Sequence, residues 1–314
     1  FGVLISDNGS TDNTGEVVVP YLGSGWFRYQ RHDTNLGFDR NVASLLSASN
    51  ADYVWLQGDD DEVVCDALPA LFSALEAQPA LVWTNICTTG MPSVSEQRGL
   101  QALDRISVAE FCSRFGFLGG FGGLAHFVIR RERLDARKLA DYVGSNYLHA
   151  FALANAFKGE QMHLVHTPLT QVTPRTEEET ARYVARWEMQ RGGEWDKAVL
   201  HQAKLLEEWL HASDSTDPGV FRMYDGAHYP FQLLLLKSVG CLRFAGGEIS
   251  DAQMCLTERL CQRVPNPLFG QLAATTRSLS MPIPDEAEQT AWWQRYRLAG
   301  HSDWMSSDEQ RSAA

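Results

Sequence analysis

The chain opens on Phe1-Gly2-Val3-Leu4-Ile5, an apolar run with the length of a buried strand, and turns abruptly polar through Asp7-Asn8-Gly9-Ser10-Thr11-Asp12. Apolar strand-like runs and helical stretches then alternate to about Arg133, the rhythm that builds a mainly parallel sheet with helices on both faces. Val3 to Ser6 reads as a strand, and the stretch from Asp7 to Thr14 as a turn leading into a helix. Trp26 to Arg31 reads as a second strand, Asn41 to Ser49 as a helix and Tyr53 to Gln57 as a third strand. Leu68 to Ala77 follows as a helix closed by Pro79, and Leu81 to Asn85 and Ala125 to Ile129 as further strands. Beyond Thr167 the strand-like runs stop, and Glu177 to Gln190 and Trp195 to His211 carry helical spacing with dense charge. The division expected is an α/β domain over residues 1–174 and a mainly helical region over 175–314, with a loop at Asp214 to Gly219 and a frayed polar end from Ser302.

Composition narrows the class. With 44% hydrophobic and 21% charged residues over 314 positions, the chain is soluble and globular in type. A formal net charge of −12 excludes a protein that grips nucleic acid by bulk charge. It leaves room for a phosphorylated small ligand, whose charge a bound divalent cation neutralises locally. The six cysteines include no C-x-x-C pair and read as reduced thiols of a cytoplasmic protein. The longest apolar run, around Phe231 to Leu236, falls short of the ~20 residues needed to span a bilayer.

The strongest local chemistry is Tyr53-Val54-Trp55-Leu56-Gln57-Gly58-Asp59-Asp60-Asp61-Glu62, an apolar strand running straight into adjacent carboxylates. Like charges this close repel unless something positive sits among them, and oxygen ligands of this kind suit Mg²⁺ or Mn²⁺. In an open α/β sheet, ligands bind beyond the carboxyl ends of the strands, where these residues fall. A solvated acidic loop is the alternative for the three acids taken alone.

Taken in order, the strand with its Asp7-Asn8-Gly9-Ser10-Thr11-Asp12 turn, Asn35-Leu36-Gly37-Phe38-Asp39-Arg40-Asn41, and the acidic run resemble the nucleotide-binding half of family 2 glycosyltransferases of the GT-A fold. The resemblance is clear over about Phe1 to Asn85 and weaker to about Arg175, and leans toward bacterial O-antigen transferases of the rhamnosyl and abequosyl type. It implies a GT-A sheet followed by a helical C-terminal region. It also implies transfer, with inversion, of a sugar from a nucleoside-diphosphate donor to a hydroxyl of a glycan or lipid-linked glycan, in surface polysaccharide synthesis. Such an enzyme is cytoplasmic, or peripheral at the inner face of the membrane. Carried over by position, Asp7 contacts the nucleotide base, and Gly9, Ser10 and Asp12 shape the pocket around base and ribose. Arg40 and Asn41 lie near the nucleotide, the alternative for Arg40 being an ordinary surface residue. Asp59 and Asp61 form the D-x-D pair, holding the ribose and the Mg²⁺ or Mn²⁺ ion on the diphosphate. Because the register is ambiguous by one residue, Asp60 stands with them as a metal ligand.

One departure from the family is plain. The usual Glu-Asp pair that supplies the base is absent, and the corresponding region reads Asp141-Tyr142-Val143-Gly144-Ser145-Asn146-Tyr147-Leu148-His149. His149, whose imidazole titrates near neutral pH, is either the base, a ligand or a packed helix residue, and Asp141 is either the base or a surface acid. His163 and His166 stand three apart on an expected strand and so point to opposite faces, which allows at most one to reach a cation. Gly116 to Gly123, lacking the Lys-Ser/Thr of a phosphate loop, reads as a flexible acceptor-side loop or a purely structural one. Trp292-Trp293 beside Arg295 and Arg297 are core by default, with contact to a membrane surface as the alternative.

The resemblance further implies that a central first strand precedes Phe1, so that this chain is expected to be a fragment with two exposed strand edges. Two rival functions stay open: a sugar nucleotidyltransferase, and a non-catalytic sugar-nucleotide or glycan-binding module, the latter suggested by the missing Glu-Asp pair.

Overall fold

The computed structural model describes residues 1–174, 176–181, 193–213, 217–224, 227–263, 266–279 and 285–301. The chain divides into two compact units, residues 1–108 with 121–173, and residues 109–120 with 174–314.

In the first unit, the opening apolar run forms β1 (Val3–Asp7), and after a short helix α1 (Thr14–Val18) the chain returns as β2 (Phe27–Arg31), parallel to β1 in a two-stranded sheet. Helix α2 (Phe38–Ala48) begins directly after Gly37, whose φ of +81° suits the absence of a side chain. Asp39, Val42 and Leu46 share the buried face of α2, so a carboxylate stands on the helix's inward stripe.

Six strands form the main sheet: β3 (Tyr53–Trp55), β4 (Asp61–Val63), β5 (Leu81–Thr88), β6 (Arg105–Ser107), β7 (Phe127–Arg130) and β8 (Gln161–Val172). Their order is β3-β7-β5-β8-β4, with β6 also paired to β8. Between β4 and β5 lies α3 (Leu68–Glu76), whose Leu71 packs on Val82, Val128, Val165 and Leu169; each such buried aliphatic contributes roughly 1.5–3 kcal/mol. The short α4 (Val94–Gln97) starts at a reciprocal cap between Ser93 and Glu96.

The sheet corrects one expectation: it is mixed rather than mainly parallel. Among the described residues, β5 and β8 are the one parallel pair of the six-stranded sheet. β7 enters antiparallel between β3 and β5, while β4 and β6 pair antiparallel with β8. Apolar alternation marks a strand but carries no direction, which is set by the route of the connections.

A second correction concerns the glycine-rich stretch. Residues 109–120 group with the second unit, and the stretch is two short helices, α5 (Val108–Phe115) and α6 (Phe117–Phe121), joined at Gly116 with φ +79°. Phe117 is 1% exposed, and a methyl group at Gly120 would lie 2.8 Å from the ring of Phe111. These glycines permit close packing instead of flexibility.

Two further helices complete the first unit: α7 (Leu139–Tyr142) and α8 (Leu148–Ala156). Every residue from Leu148 to Ala154 is buried, as expected of a helix that is apolar all round.

The second unit is mainly helical: α9 (Glu194–Ser213), α10 (Phe231–Phe244), α11 (Asp251–Gln262), α12 (Pro267–Arg277) and α13 (Glu286–His301), with a hairpin of β9 (Arg222–Tyr224) and β10 (Ala227–Pro230) before α10. Its core gathers Leu233, Leu236, Phe269, Leu272 and Trp292. Trp292 is fully buried and donates from its indole to Thr276 Oγ1 at 2.8 Å, so it is a core residue and supplies no membrane contact. Of the helix expected from Glu177 to Gln190, residues 177–181 are helical; the remainder, with Trp187, and the tail from Ser302 lie outside the described residues, as does part of the loop from Asp214. No disulfide joins any of the six cysteines. Among the described residues, no helix is long and apolar enough to cross a membrane.

Candidate active site

β3, β5 and β8 run in one direction, so their carboxyl ends share one edge of the sheet. The chain leaves β3 on one flank of this sheet and re-enters as β4 on the other, carrying Gly58-Asp59-Asp60 across that edge. Gln57 donates to Thr170 Oγ1 at 3.2 Å, and Asp61 sits opposite Val172 at the end of β8. Asp59 and Asp60 are exposed, Asp61 half-buried. The carboxylate of Asp60 folds back over Gly58, where an added Cβ would meet its Oδ1 at 2.7 Å. Any side chain at position 58 would therefore displace this carboxylate. Among the described residues, no three His, Cys, Asp or Glu side chains gather into a complete metal site. The donor set fits instead an ion held by one or two carboxylates and completed by phosphate oxygens, the usual manner of Mg²⁺.

The start of β7 lies at the same edge, because β7 runs opposite to its neighbours. Here Ala125 O accepts from Trp55 Nε1 at 2.8 Å and from Thr84 Oγ1 at 2.7 Å. Arg130 and Arg131, at the far end of β7, stand at the opposite edge, where Arg130 donates to Tyr53 Oη at 3.1 Å and Gln78 O at 2.6 Å. That pair is thus removed from the acidic run.

The turn after β1 is built around Asp7. Its Oδ1 accepts from Ser10 N at 2.7 Å, its Oδ2 from Tyr29 Oη at 2.5 Å, and Arg31 Nε lies 3.5 Å from Oδ2. The Tyr29 phenol first, and the Ser10 amide second, hold this carboxyl at about 2, against the opposing cost of burial. Asp7 thus spends both oxygens on shaping the turn. Gly9 has φ +78°, and a Cβ there would lie 2.8 Å from Asn35 N and Thr34 C, so the turn packs backbone to backbone on the loop before α2. Asn8 fastens the same contact, accepting from Leu36 N at 2.9 Å and donating to Asn35 Oδ1 at 3.1 Å. Asp12 caps Thr14, and the Thr14 hydroxyl first, at 2.5 Å, and its N–H second, at 2.9 Å, lower the Asp12 carboxyl below the usual range. Asn41 accepts from Ser6 Oγ at 2.6 Å, and Ser6 in turn accepts from Gln30 Nε2 at 2.9 Å. Arg40 is exposed on α2.

Helix α8 touches both α2 and the segment before β7. His149 is 3% exposed; its Nε2 lies 3.0 Å from Gly122 O, and the edge of Phe38 meets its ring at a centroid distance of 5.6 Å. Since a carbonyl only accepts, the Nε2 carries the hydrogen and Nδ1 keeps its lone pair. That Nδ1 is buried and has no hydrogen-bond partner among the described residues. Burial lowers the pKa of His149 below its ordinary value, with the Gly122 contact and the charge of Asp39 opposing, so the ring is neutral at pH 7. Asp141 stands exposed on α7. His166 is spoken for twice, by Ser95 Oγ at 2.8 Å and Leu103 O at 2.7 Å, and belongs to the packing of β8. His163 is half-buried, and burial also lowers its pKa.

The residue that sequence reading passed over is Asp39. It is 5% exposed, and its carboxylate accepts from Gly144 N and Asn146 N at 2.8 Å each through Oδ2 and from Leu148 N at 3.1 Å through Oδ1. The available signal was an acid on the apolar stripe of α2.

Residues 1–146 match the family described as glycosyl transferase family 2. That stretch takes in strands β1 to β7 of the α/β unit, whose sheet is mixed. Among curated proteins, it is similar to the abequosyltransferase RfbV of Salmonella typhimurium, with 32% identity over 184 residues, covering 53% of this chain and 55% of that protein. The chain thus spans about half the length of this relative. Among solved structures, it is similar to residues 1–349 of S. aureus TarS, with 14% identity, a TM-score of 0.48, and coverage of 96% of this chain and 81% of that one. It is also similar to the mannosyltransferase PcManGT of Pyrobaculum calidifontis, solved with GDP-Man and Mn²⁺, with 13% identity, a TM-score of 0.44, and coverage of 95% and 76%.

Proposed function

We propose that this protein transfers a sugar from a nucleoside-diphosphate donor to a hydroxyl of a glycan or lipid-linked glycan, with inversion, in the synthesis of a surface polysaccharide. The observation that carries the reading is the acidic run at Asp59 to Asp61, drawn across the carboxyl edge of β3, β5 and β8 in a chain whose residues 1–146 match family 2. Asp59 and Asp61, with Asp60 beside them, would hold Mg²⁺ or Mn²⁺. When bound, that ion stabilises the charge that develops on the leaving diphosphate. The turn from Asp7 through Gly9 and Ser10 to Asp12, with Asn41 and Arg40, forms the nucleotide side of the site. The similarity to RfbV supports an O-antigen type of acceptor, and with it a cytoplasmic place at the inner face of the membrane.

For the base that takes the acceptor hydroxyl's proton, His149 is favoured over Asp141. Its tautomer is fixed by Gly122 O, its ring is neutral, and its Nδ1 lacks a partner among the described residues, the state required of a general base. The acceptor must reach a buried atom whose ring is flanked by Phe38, 43% exposed, and by Tyr147.

The test is release of nucleoside diphosphate from a panel of UDP-, GDP-, CDP- and dTDP-sugars with Mn²⁺ and a lipid-linked glycan acceptor. Sugar transfer supports the reading. Pyrophosphate release from a nucleoside triphosphate and a sugar phosphate would identify a nucleotidyltransferase instead, and nucleotide binding without turnover a binding module.

A further inference from the structure

The loop from Gly144 to Leu148 enters the left-handed region twice, at Gly144 with φ +93° and at Asn146 with φ +59°. Left-handed backbone is uncommon for a residue other than glycine and persists when its surroundings hold it. What holds it is Asp39. Three backbone N–H groups of the loop converge on one buried carboxylate, and the last belongs to Leu148, the first residue of α8. An unpaired carboxylate buried this deeply would be strongly unfavourable, and the three donors offset that cost. Asp39 is on α2, between Phe38, which touches the His149 ring, and Arg40 and Asn41 on the nucleotide side. One carboxylate therefore fixes the entry of α8, and with it His149, to the helix that carries the nucleotide-side residues.

We infer that Asp39 is a positioning residue, which sets His149 relative to the nucleotide side of the site by clamping residues 144–148. It touches neither donor nor acceptor. The inference rests on the sugar-transfer reading for its catalytic consequence, while the clamp itself is a property of the folded chain. A buried carboxylate with three donors need only stabilise the fold; the catalytic role adds that turnover falls while nucleotide binding is kept.

Two variants separate these roles. Asp39→Asn keeps one acceptor oxygen and Asp39→Ala keeps none, so a clamp gives a graded response. Amide hydrogen exchange of residues 144–148 should quicken by about tenfold in the Asn variant and further in the Ala variant. The Kd for UDP, GDP, CDP or dTDP with Mn²⁺, whichever binds, should stay within about threefold of the parent, while kcat falls by about 10²-fold, as expected for a misplaced catalytic group. If Asp39→Ala does not fold, the Asn variant alone decides. Wild-type exchange rates at 144–148 in Asp39→Asn overturn the clamp. A kcat that falls no further than nucleotide affinity overturns the positioning role and leaves a structural one. A wild-type protein that turns over no donor, with the exchange difference intact, overturns the transfer reading and not the clamp.

Discussion

Tyr29 donates from its hydroxyl to Asp7 Oδ2 at 2.5 Å, one strand across from the carboxylate it holds. With Ser10 N on the other oxygen, this keeps the Asp7 carboxyl at about 2, below its ordinary 3.8. A carboxyl depressed by folding stabilises the native state above its unfolded pKa and loses that contribution as pH falls through the folded one. Asp7→Asn is expected to cost about 1–3 kcal/mol at pH 7, and the difference from wild type should shrink between pH 3.8 and 2. Urea unfolding across that range checks it, and a constant difference would refute it.

Gly9 gives a sharper test of the same turn. A Cβ there meets backbone atoms of Thr34 and Asn35 at 2.8 Å, in a backbone conformation of φ +78°, and backbone cannot swing aside as a flexible side chain does. Gly9→Ala should lower stability by about 1–3 kcal/mol and weaken nucleotide binding. An alanine variant with wild-type unfolding and affinity would show that the turn is not packed as described.

Much of the first unit was legible because local patterns suffice for it. The apolar runs gave β1, β2 and β5, and the Asp7 to Asp12 and Asn35 to Asn41 motifs marked the loops that prove to pack on each other. What escaped depends on residues far apart in the chain. The antiparallel entry of β7 between β3 and β5 leaves no mark on its own residues, so a mixed sheet read as a parallel one. Gly120 looked like flexibility because its reason, the ring of Phe111, is a packing fact. The three donors of Asp39 lie more than a hundred positions away, and no spacing rule connects them to an acid in α2.

His149 makes a pH prediction with a definite sign. Burial lowers its pKa, so the unfolded chain takes up a proton more readily than the native one, and stability declines as pH falls below about 6.5. As the base, the same neutral ring places the acid limb of the kcat profile below pH 6.5. His149→Gln should reduce kcat by about 10²–10⁴-fold and abolish that limb. Retention of kcat and limb in His149→Gln would mark it as a packed residue only.

In the helical unit, Trp292 fills the space above Gly240, where a Cβ would come within 2.7 Å of the indole. Trp292→Ala should cost about 3–5 kcal/mol, and Gly240→Ala about 1–3 kcal/mol through overpacking. Thermal unfolding measures both. Wild-type stability in Trp292→Ala would contradict its place in this core.

If Asp59 to Asp61 bind a divalent cation together with the donor's diphosphate, calorimetric titration reveals it. UDP, GDP, CDP and dTDP are titrated with and without Mn²⁺ into the wild type, Asp59→Ala and Asp61→Ala. Metal-dependent binding of one nucleotide, weakened by at least about tenfold in each variant, or about 1.4 kcal/mol, is the result expected. Binding that ignores Mn²⁺, or that is equal in all three proteins, would make the acidic run a solvated loop with no part in donor binding.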